Sequence, residues 1–258
     1  METNKIYQGD CLELMKQIED KSIDLILCDL PYGTTQNKWD SIIPLKELWE
    51  NYNRIIKDNG IIVLTAQTPF DKVLGVSNLN DLKYEWIWVK PQGTGHLNSK
   101  KMPLKNHENI LVFYKKLGTY NPQMVGDEKR TVKRSGNNSK TTNYGKFIEI
   151  SQSEYNGRFP LSAQIFNKEN GLHPTQKPVA LFEYLIRTYT NEGDLVLDNC
   201  IGSGTTAIAC VNTKRNFIGI ELSEEYCKIA NERLTKLNDG NDGIPPKPKD
   251  MGILPTII

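Results

Sequence analysis

Six short segments of this chain are almost wholly apolar, and helix-length stretches separate several of them. "SIDLILCD" (22–29), "NGIIVLTA" (59–66), "YEWIWVK" (84–90), "ENILVFYK" (108–115), "GDLVLDN" (193–199) and "NFIGIEL" (216–222) are rich in Ile, Val, Leu and aromatics. Most are bounded by Gly, Asn, Asp or Pro, which predicts strands. Leu12–Glu19, Leu45–Lys57, Phe70–Ser77, Val179–Tyr189, Ser203–Asn212 and Ser223–Leu237 read as helices. Ser223 can cap the last of these, with acids in its first turn. A continuously apolar strand must be covered on both faces. Alternation with helices then predicts an α/β fold with a doubly wound, mostly parallel sheet.

Lys116 to Phe166 breaks the rhythm, being polar, rich in Gly, Asn, Ser and Thr, and without a sustained period. It reads as an insertion with long loops, so the organisation expected is one domain over 1–237, an insertion at about 92–165, and a flexible Pro- and Gly-rich extension over 238–258. Charge is distributed unevenly. Between Lys83 and Lys146 there are 13 Lys plus Arg against 4 Asp plus Glu, a local net of +9 in a chain whose total is +1. Such a run is usually a solvated face. Here it is interleaved with Trp86, Trp88, His96, His107, Tyr114, Tyr120 and Tyr144, which suits phosphate contact and base stacking, so nucleic acid is the favoured partner. Lys100, Lys101, Lys129, Arg130, Lys133 and Arg134 are the candidate phosphate contacts.

A composition of 38% hydrophobic and 24% charged residues belongs to a globular protein. No apolar run is long enough to span a bilayer, and the N-terminus lacks the layout of a secretion signal, so a cytoplasmic location and no membrane partner are expected. The five cysteines are scattered and form no CxxC pair, so neither disulfides nor a metal site is indicated.

The most informative stretch is "LVLDNCIGSGTTAIA" (195–209). An apolar strand ends in Asp198, a turn containing Gly202 and Gly204 opens a helix, and the next strand ends in Glu221. Glycines allow close backbone approach to a ligand, the helix start offers free N–H groups, and the terminal acid can accept ribose hydroxyls. Together these features point to a nucleoside-bearing cofactor. The fingerprint tolerates Ala207 at its third glycine position, so NAD stays open, while the absence of GxxxxGK[ST] argues against a nucleotide triphosphatase.

A family resemblance rests on four motifs. "DLPYG" (29–33) resembles the [DNS]PP[YFW] signature of amino-group DNA methyltransferases, "DNCIGSGTT" (198–206) their S-adenosylmethionine-binding "DPFxGSGTT", "HPTQKP" (173–178) the motif that precedes it, and "GDCLELM" (9–15) a further element. The motif order is that of the family's β group. The resemblance implies a Rossmann-like methyltransferase fold, with the insertion recognising DNA. It implies S-adenosylmethionine as cofactor, DNA as substrate and a homodimer as one assembly open to the chain. Asp10 and Cys11 would lie by the cofactor adenine, and Asp198, Gly202, Gly204 and Thr205 around its methionine part. Glu221 would hold the ribose, while His173, Thr175 and Lys177 would close the amino-acid end, with Lys177 pairing with the cofactor carboxylate. Asp10 could equally cap a helix.

The resemblance also explains the Asp-Leu-Pro-Tyr turn. An exocyclic amine is a poor nucleophile because its lone pair is delocalised into the ring. The Asp29 carboxylate and Leu30 carbonyl can accept both amino protons and favour a pyramidal nitrogen. Pro31 holds Leu30 extended, and Tyr32 offers a surface for an extruded base. Asp in the first position favours adenine N6, with cytosine N4 as the alternative. Leu30 stands where the family usually has its first Pro, and Asn199 and Cys200 replace the Pro and Phe before Gly202. Two more distant readings are a catalytically silent DNA-binding relative and a NAD-dependent dehydrogenase.

Overall fold

The computed structural model describes residues 1–33, 41–134, 151–169 and 176–238, without the side chains of 132–134, 151–153 and 238. Among these, Met1–Asn121 together with the chain from Ser162 onward forms one compact unit, and Pro122–Leu161 forms another.

The larger unit is built on an eight-stranded sheet. Its strands are β1 (Lys5–Gln8), β2 (Ile23–Asp29), β3 (Ile56–Ala66), β4 (Leu82–Thr94), β5 (Lys105–Phe113), β8 (Ala163–Ile165), β9 (Leu195–Asp198) and β10 (Asn216–Glu221), in the order β1-β10-β9-β2-β3-β5-β4-β8. The run from β1 to β3 is parallel, and β5 is antiparallel to both β3 and β4. The expected mostly parallel sheet is therefore present, with one antiparallel hairpin, because β4 and β5 follow each other without a crossover helix.

Helices α1 (Cys11–Met15), α2 (Leu45–Ile55) and α3 (Phe70–Ser77) supply one apolar layer, and α4 (Val179–Tyr189), α5 (Thr205–Thr213) and α6 (Glu224–Asn238) the other. The double winding is visible within single strands. Leu25 and Leu27 of β2 and Ile61 and Val63 of β3 face the α4/α5 side. Ile26, Cys28, Ile62 and Leu64 face the α1/α2 side. Apolar residues at consecutive positions thus serve alternate faces, which is why no polar alternation appears in the sequence. Ser223 caps α6 as expected, accepting from the Tyr226 N–H at 3.4 Å.

Two expectations need correction. β1 was not anticipated: "KIYQ" is four residues long with only two apolar positions, and its strand state depends on parallel pairing with β10. The segment after 116 was expected to be loops, yet the smaller unit is a two-stranded antiparallel ribbon of β6 (Val125–Arg134) and β7 (Ser151–Arg158). The charged run of β6, "VGDEKRTVKR", carries no apolar face that would mark it as a strand. The extension beyond 238 lies outside the described residues.

Candidate active site

β2 and β9 are sheet neighbours, with Leu25 opposite Val196 and Ile26 opposite Leu197. Their carboxyl ends release the two predicted turns side by side, where doubly wound sheets bind ligands. Asp29, Leu30, Pro31 and Tyr32 from one turn and Asp198, Gly202 and Thr205 from the other line a single cavity of about 510 Å³. Asp10 and Cys11 after β1, Glu221 at the end of β10 and Lys177 before α4 line it too.

The glycine-turn end is held mainly by backbone amides. Glu221 accepts the Gly202 N–H through Oε2 and the Ser223 N–H through Oε1, each at 2.8 Å, and burial raises its pKa. Asp10 Oδ1 accepts the N–H groups of Leu12 and Glu13 at 2.8 and 3.2 Å, so it does cap α1. A carboxylate has about four acceptor positions, so both acids keep capacity for a ligand. Asp198 is buried, accepts the Cys200 N–H at 3.0 Å and the Thr206 hydroxyl, and is pushed up to about 7 by burial. The Thr205 hydroxyl donates to the Lys177 carbonyl at 3.3 Å. Asn199, at the family's Pro position, accepts the Tyr52 hydroxyl at 2.5 Å and ties the turn to α2.

The two glycines do different things. Gly202 has φ +53° and open space where a Cβ would stand. Gly204 does not line the cavity. At φ +87° its Cβ would lie 2.9 Å from Ala230 Cβ, so this glycine lets α5 approach α6 closely. Gly204 thus has a packing role beside the cofactor contact expected of it.

The other end is charged. The Asp29 carboxylate accepts the Tyr32 hydroxyl at 2.6 Å, the Thr65 hydroxyl, and the Lys177 ammonium through Oδ2. Lys177 Nζ is also 3.5 Å from Glu108 Oε2, and Glu108 Oε1 pairs with Lys90. Lys90 in turn lies 4.6 Å over the Trp88 ring. The Lys177 side chain is 5% exposed, and those of Glu108 and Lys90 are each 11% exposed, so this chain of charges is largely shielded from water. Burial alone would lower the Lys177 pKa, but Asp29 and Glu108 outweigh it and hold the ammonium above its ordinary value. Burial would likewise raise Glu108, and Lys177 and Lys90 reverse the sign. Tyr32 stacks on Phe70 at a centroid distance of 5.6 Å, and burial with the neighbouring Asp29 charge raises its phenol well above the usual range.

Of the predicted residues, Asp29 to Tyr32, Asp10, Cys11, Lys177, Asp198, Gly202, Thr205 and Glu221 meet at this cavity. Lys177 was expected to face a cofactor carboxylate, whereas its observed partners are two carboxylates of the protein itself. His173 and Thr175 lie outside the described residues. Lys100 and Lys101 are exposed between β4 and β5. On the ribbon Lys129 is exposed and Arg130 pairs with Glu128 at 3.2 Å, while the side chains of Lys133 and Arg134 lie outside the described set. Thr65, Lys90 and Glu108 were missed. Their signal was a charged or hydroxyl residue within or at the edge of an apolar strand segment, which in a covered sheet must find a partner.

A doubly wound sheet that brings a glycine turn and an Asp-Leu-Pro-Tyr turn to one cavity defines an enzyme that sets a nucleoside cofactor against a polar substrate group. A family model described as DNA methylase (N6_N4_Mtase) matches residues 23–232, and the chain belongs to that family. It resembles the type II methyltransferase M.HpaI of Haemophilus parainfluenzae, with 32% identity over 95% of this chain and 78% of that protein. The DNA adenine methyltransferase YhdJ of Escherichia coli (strain K12) is 30% identical over 90% of this chain and 83% of its own length. Among solved structures, the M1.HpyAVI–SAM complex superposes with TM-score 0.61 at 28% identity, covering 89% of this chain and 98% of that one. The cytosine-N4-specific PvuII DNA methyltransferase gives TM-score 0.66 at 17% identity, covering 91% and 89%, a likeness of fold alone. The protein is thus a DNA methyltransferase, which removes the dehydrogenase reading. Its cofactor is S-adenosylmethionine, which the open space at Gly202 and the acceptor capacity of Glu221 and Asp10 suit. Among the described residues no helix is long and apolar enough to cross a membrane.

Proposed function

We propose that this enzyme methylates the N6 amine of an adenine flipped out of DNA, with Asp29 and the Leu30 carbonyl as the acceptors that fix the amine. The observation that carries the reading is the cavity shared by the Asp29 turn and the Gly202 turn. Bound S-adenosylmethionine supplies an electrophilic methyl group. The chain's task is to present a localised lone pair to it. Asp29 already accepts from Tyr32, Thr65 and Lys177, which leaves about one of its four acceptor positions for an amino proton. The positive charge that develops on nitrogen then faces a prearranged carboxylate. Tyr32, backed by Phe70, gives the base an aromatic surface.

Glu221 and Asp10 hold the ribose and adenine side of the cofactor in this reading, with Gly202 and Thr205 beside its methionine part. Lys100 and Lys101, together with the basic residues of β6, including Lys129, Arg130, Lys133 and Arg134, contact phosphates. The segment at about 92–165 then serves as the target-recognition part of a catalytic domain over 1–237. A cytoplasmic location and a homodimer accompany the reading, the latter open to a sedimentation measurement.

The test is incubation with unmethylated DNA and cofactor, digestion to nucleosides and mass spectrometry. N6-methyladenine is the expected product. Methylcytosine alone would move the assignment to cytosine N4, and DNA binding without either product would make the chain a silent relative.

A further inference from the structure

The charged chain behind Asp29 contains one unusual atom. Among the described residues Glu108 Oε2 is buried and receives no hydrogen bond, although it sits 3.5 Å from the Lys177 ammonium. Lys177 Nζ itself rests on Asp29 Oδ2. The ammonium therefore has one occupied seat on the reactive carboxylate and a second, unfilled seat on Glu108. Asp29 Oδ1 already accepts from Tyr32 and Thr65, so an incoming amine meets the one remaining acceptor position on Oδ2, the oxygen that Lys177 occupies. A buried ammonium cannot give up its counter-charge without another.

We propose that Glu108 is a positioning residue that takes Lys177 from Asp29 when the target base enters. This rests on the reading of Asp29 as the amine acceptor. With no base present, Lys177 holds Asp29 Oδ2 and fixes the carboxylate in place. When the amino group engages Asp29, the ammonium moves the short distance to Glu108 Oε2. No charge is created or exposed, because Lys90 keeps Glu108 Oε1 and the ion pair is exchanged for an equivalent one. Among the described residues the charged groups facing Lys177 are Asp29 and Glu108, with the Tyr32 ring 5.5 Å away, and Lys105 also acts on Glu108.

Charge and shape can be separated at this position. Glu108→Gln keeps the shape and loses the charge, whereas Glu108→Asp keeps the charge and loses reach. The proposal expects E108Q to lower kcat about 10–100-fold, the worth of one charge-assisted hydrogen bond, with S-adenosylmethionine affinity within about twofold of wild type. E108D should retain more turnover than E108Q. A packing role predicts the reverse order, and E108Q as active as E108D overturns the proposal. So does a loss of cofactor affinity as large as the loss of kcat. Asp29→Ala assayed in parallel separates the two ideas: an inactive D29A beside a fully active E108Q sinks only the Glu108 role, while an active D29A sinks the Asp29 reading itself. Should neither Glu108 variant fold, a structure of the wild-type enzyme with target DNA and an unreactive cofactor analogue decides. Lys177 nearer Glu108 than Asp29 upholds the exchange, and Lys177 still on Asp29 overturns it.

Discussion

The two ends of the cavity hold their acids in different ways. At the ends of β9 and β10 most partners are close in sequence: Asp198 is met by the Cys200 N–H and the Thr206 hydroxyl, and Glu221 by the Ser223 N–H, with the Gly202 N–H reaching Glu221 from 19 residues away. After β2 only Tyr32 is local, while Thr65 comes from β3 and Lys177 from the segment before α4. The first arrangement is a cradle built mostly from its own turn residues and closed by the pairing of β9 with β10. The second is assembled by side chains from segments far apart in the chain. A cofactor that binds the same way each cycle suits the first, and a substrate group that joins an existing hydrogen-bond network suits the second.

The largest effect expected from breaking this contrast is at Asp29. D29A should retain cofactor binding while turnover falls about 10²–10³-fold, measured by tritiated methyl transfer at saturating cofactor. Undiminished turnover would remove the reactive role of this end of the cavity.

Asp198 tests the fixed end through pH. Its folded pKa of about 7 lies above the ordinary carboxylate value, so its favourable contribution is fully present below about pH 4 and is lost as pH rises toward 7. Relative to Asp198→Asn, the wild type should lose about 1.4 kcal/mol per pH unit across that window in urea unfolding. Parallel curves for the two proteins would mean the carboxyl is ionised throughout.

The two glycines should divide cleanly. G204A drives a Cβ to 2.9 Å from Ala230 Cβ at φ +87°, so stability should fall by about 1–3 kcal/mol. G202A meets open space and bears only the backbone strain of its φ of +53°, about 1 kcal/mol, so it should cost less stability than G204A while weakening S-adenosylmethionine binding about tenfold by calorimetry. Equal loss of stability in both variants would erase the distinction between a packing glycine and a ligand glycine. The smallest change concerns the exposed hairpin. K100A/K101A should weaken DNA binding on every sequence and reduce the slope of log K against log salt by roughly 1.8. An unchanged slope would move the phosphate contacts elsewhere.

Much of the site was legible because its motifs are local. Asp29 to Tyr32 and Asp198 to Thr205 each form one continuous turn, and their residue types state their chemistry. Asp10 could be read as a cap or as a ligand, and the structure gives it the cap while leaving it on the cavity wall. The packing role of Gly204 was not legible because its neighbour, Ala230, lies on another helix. Glu108 and Lys90 stood in plain view inside apolar strands, but nothing local says that they pair with each other and with Lys177. The β6–β7 ribbon was missed for a related reason, since its strand state comes from cross-strand hydrogen bonds that its composition does not announce.

The sequence by itself determined the sheet, its two covered faces and the two turns, because hydrophobic periodicity and turn chemistry act over a few residues. Only the tertiary structure decided which strands are neighbours, and hence that β2 and β9 open onto the same cavity. It alone decided which charges face Asp29. Burial and ion pairing depend on distances in space, and residues 29, 65, 90, 108 and 177 become neighbours only when the sheet closes.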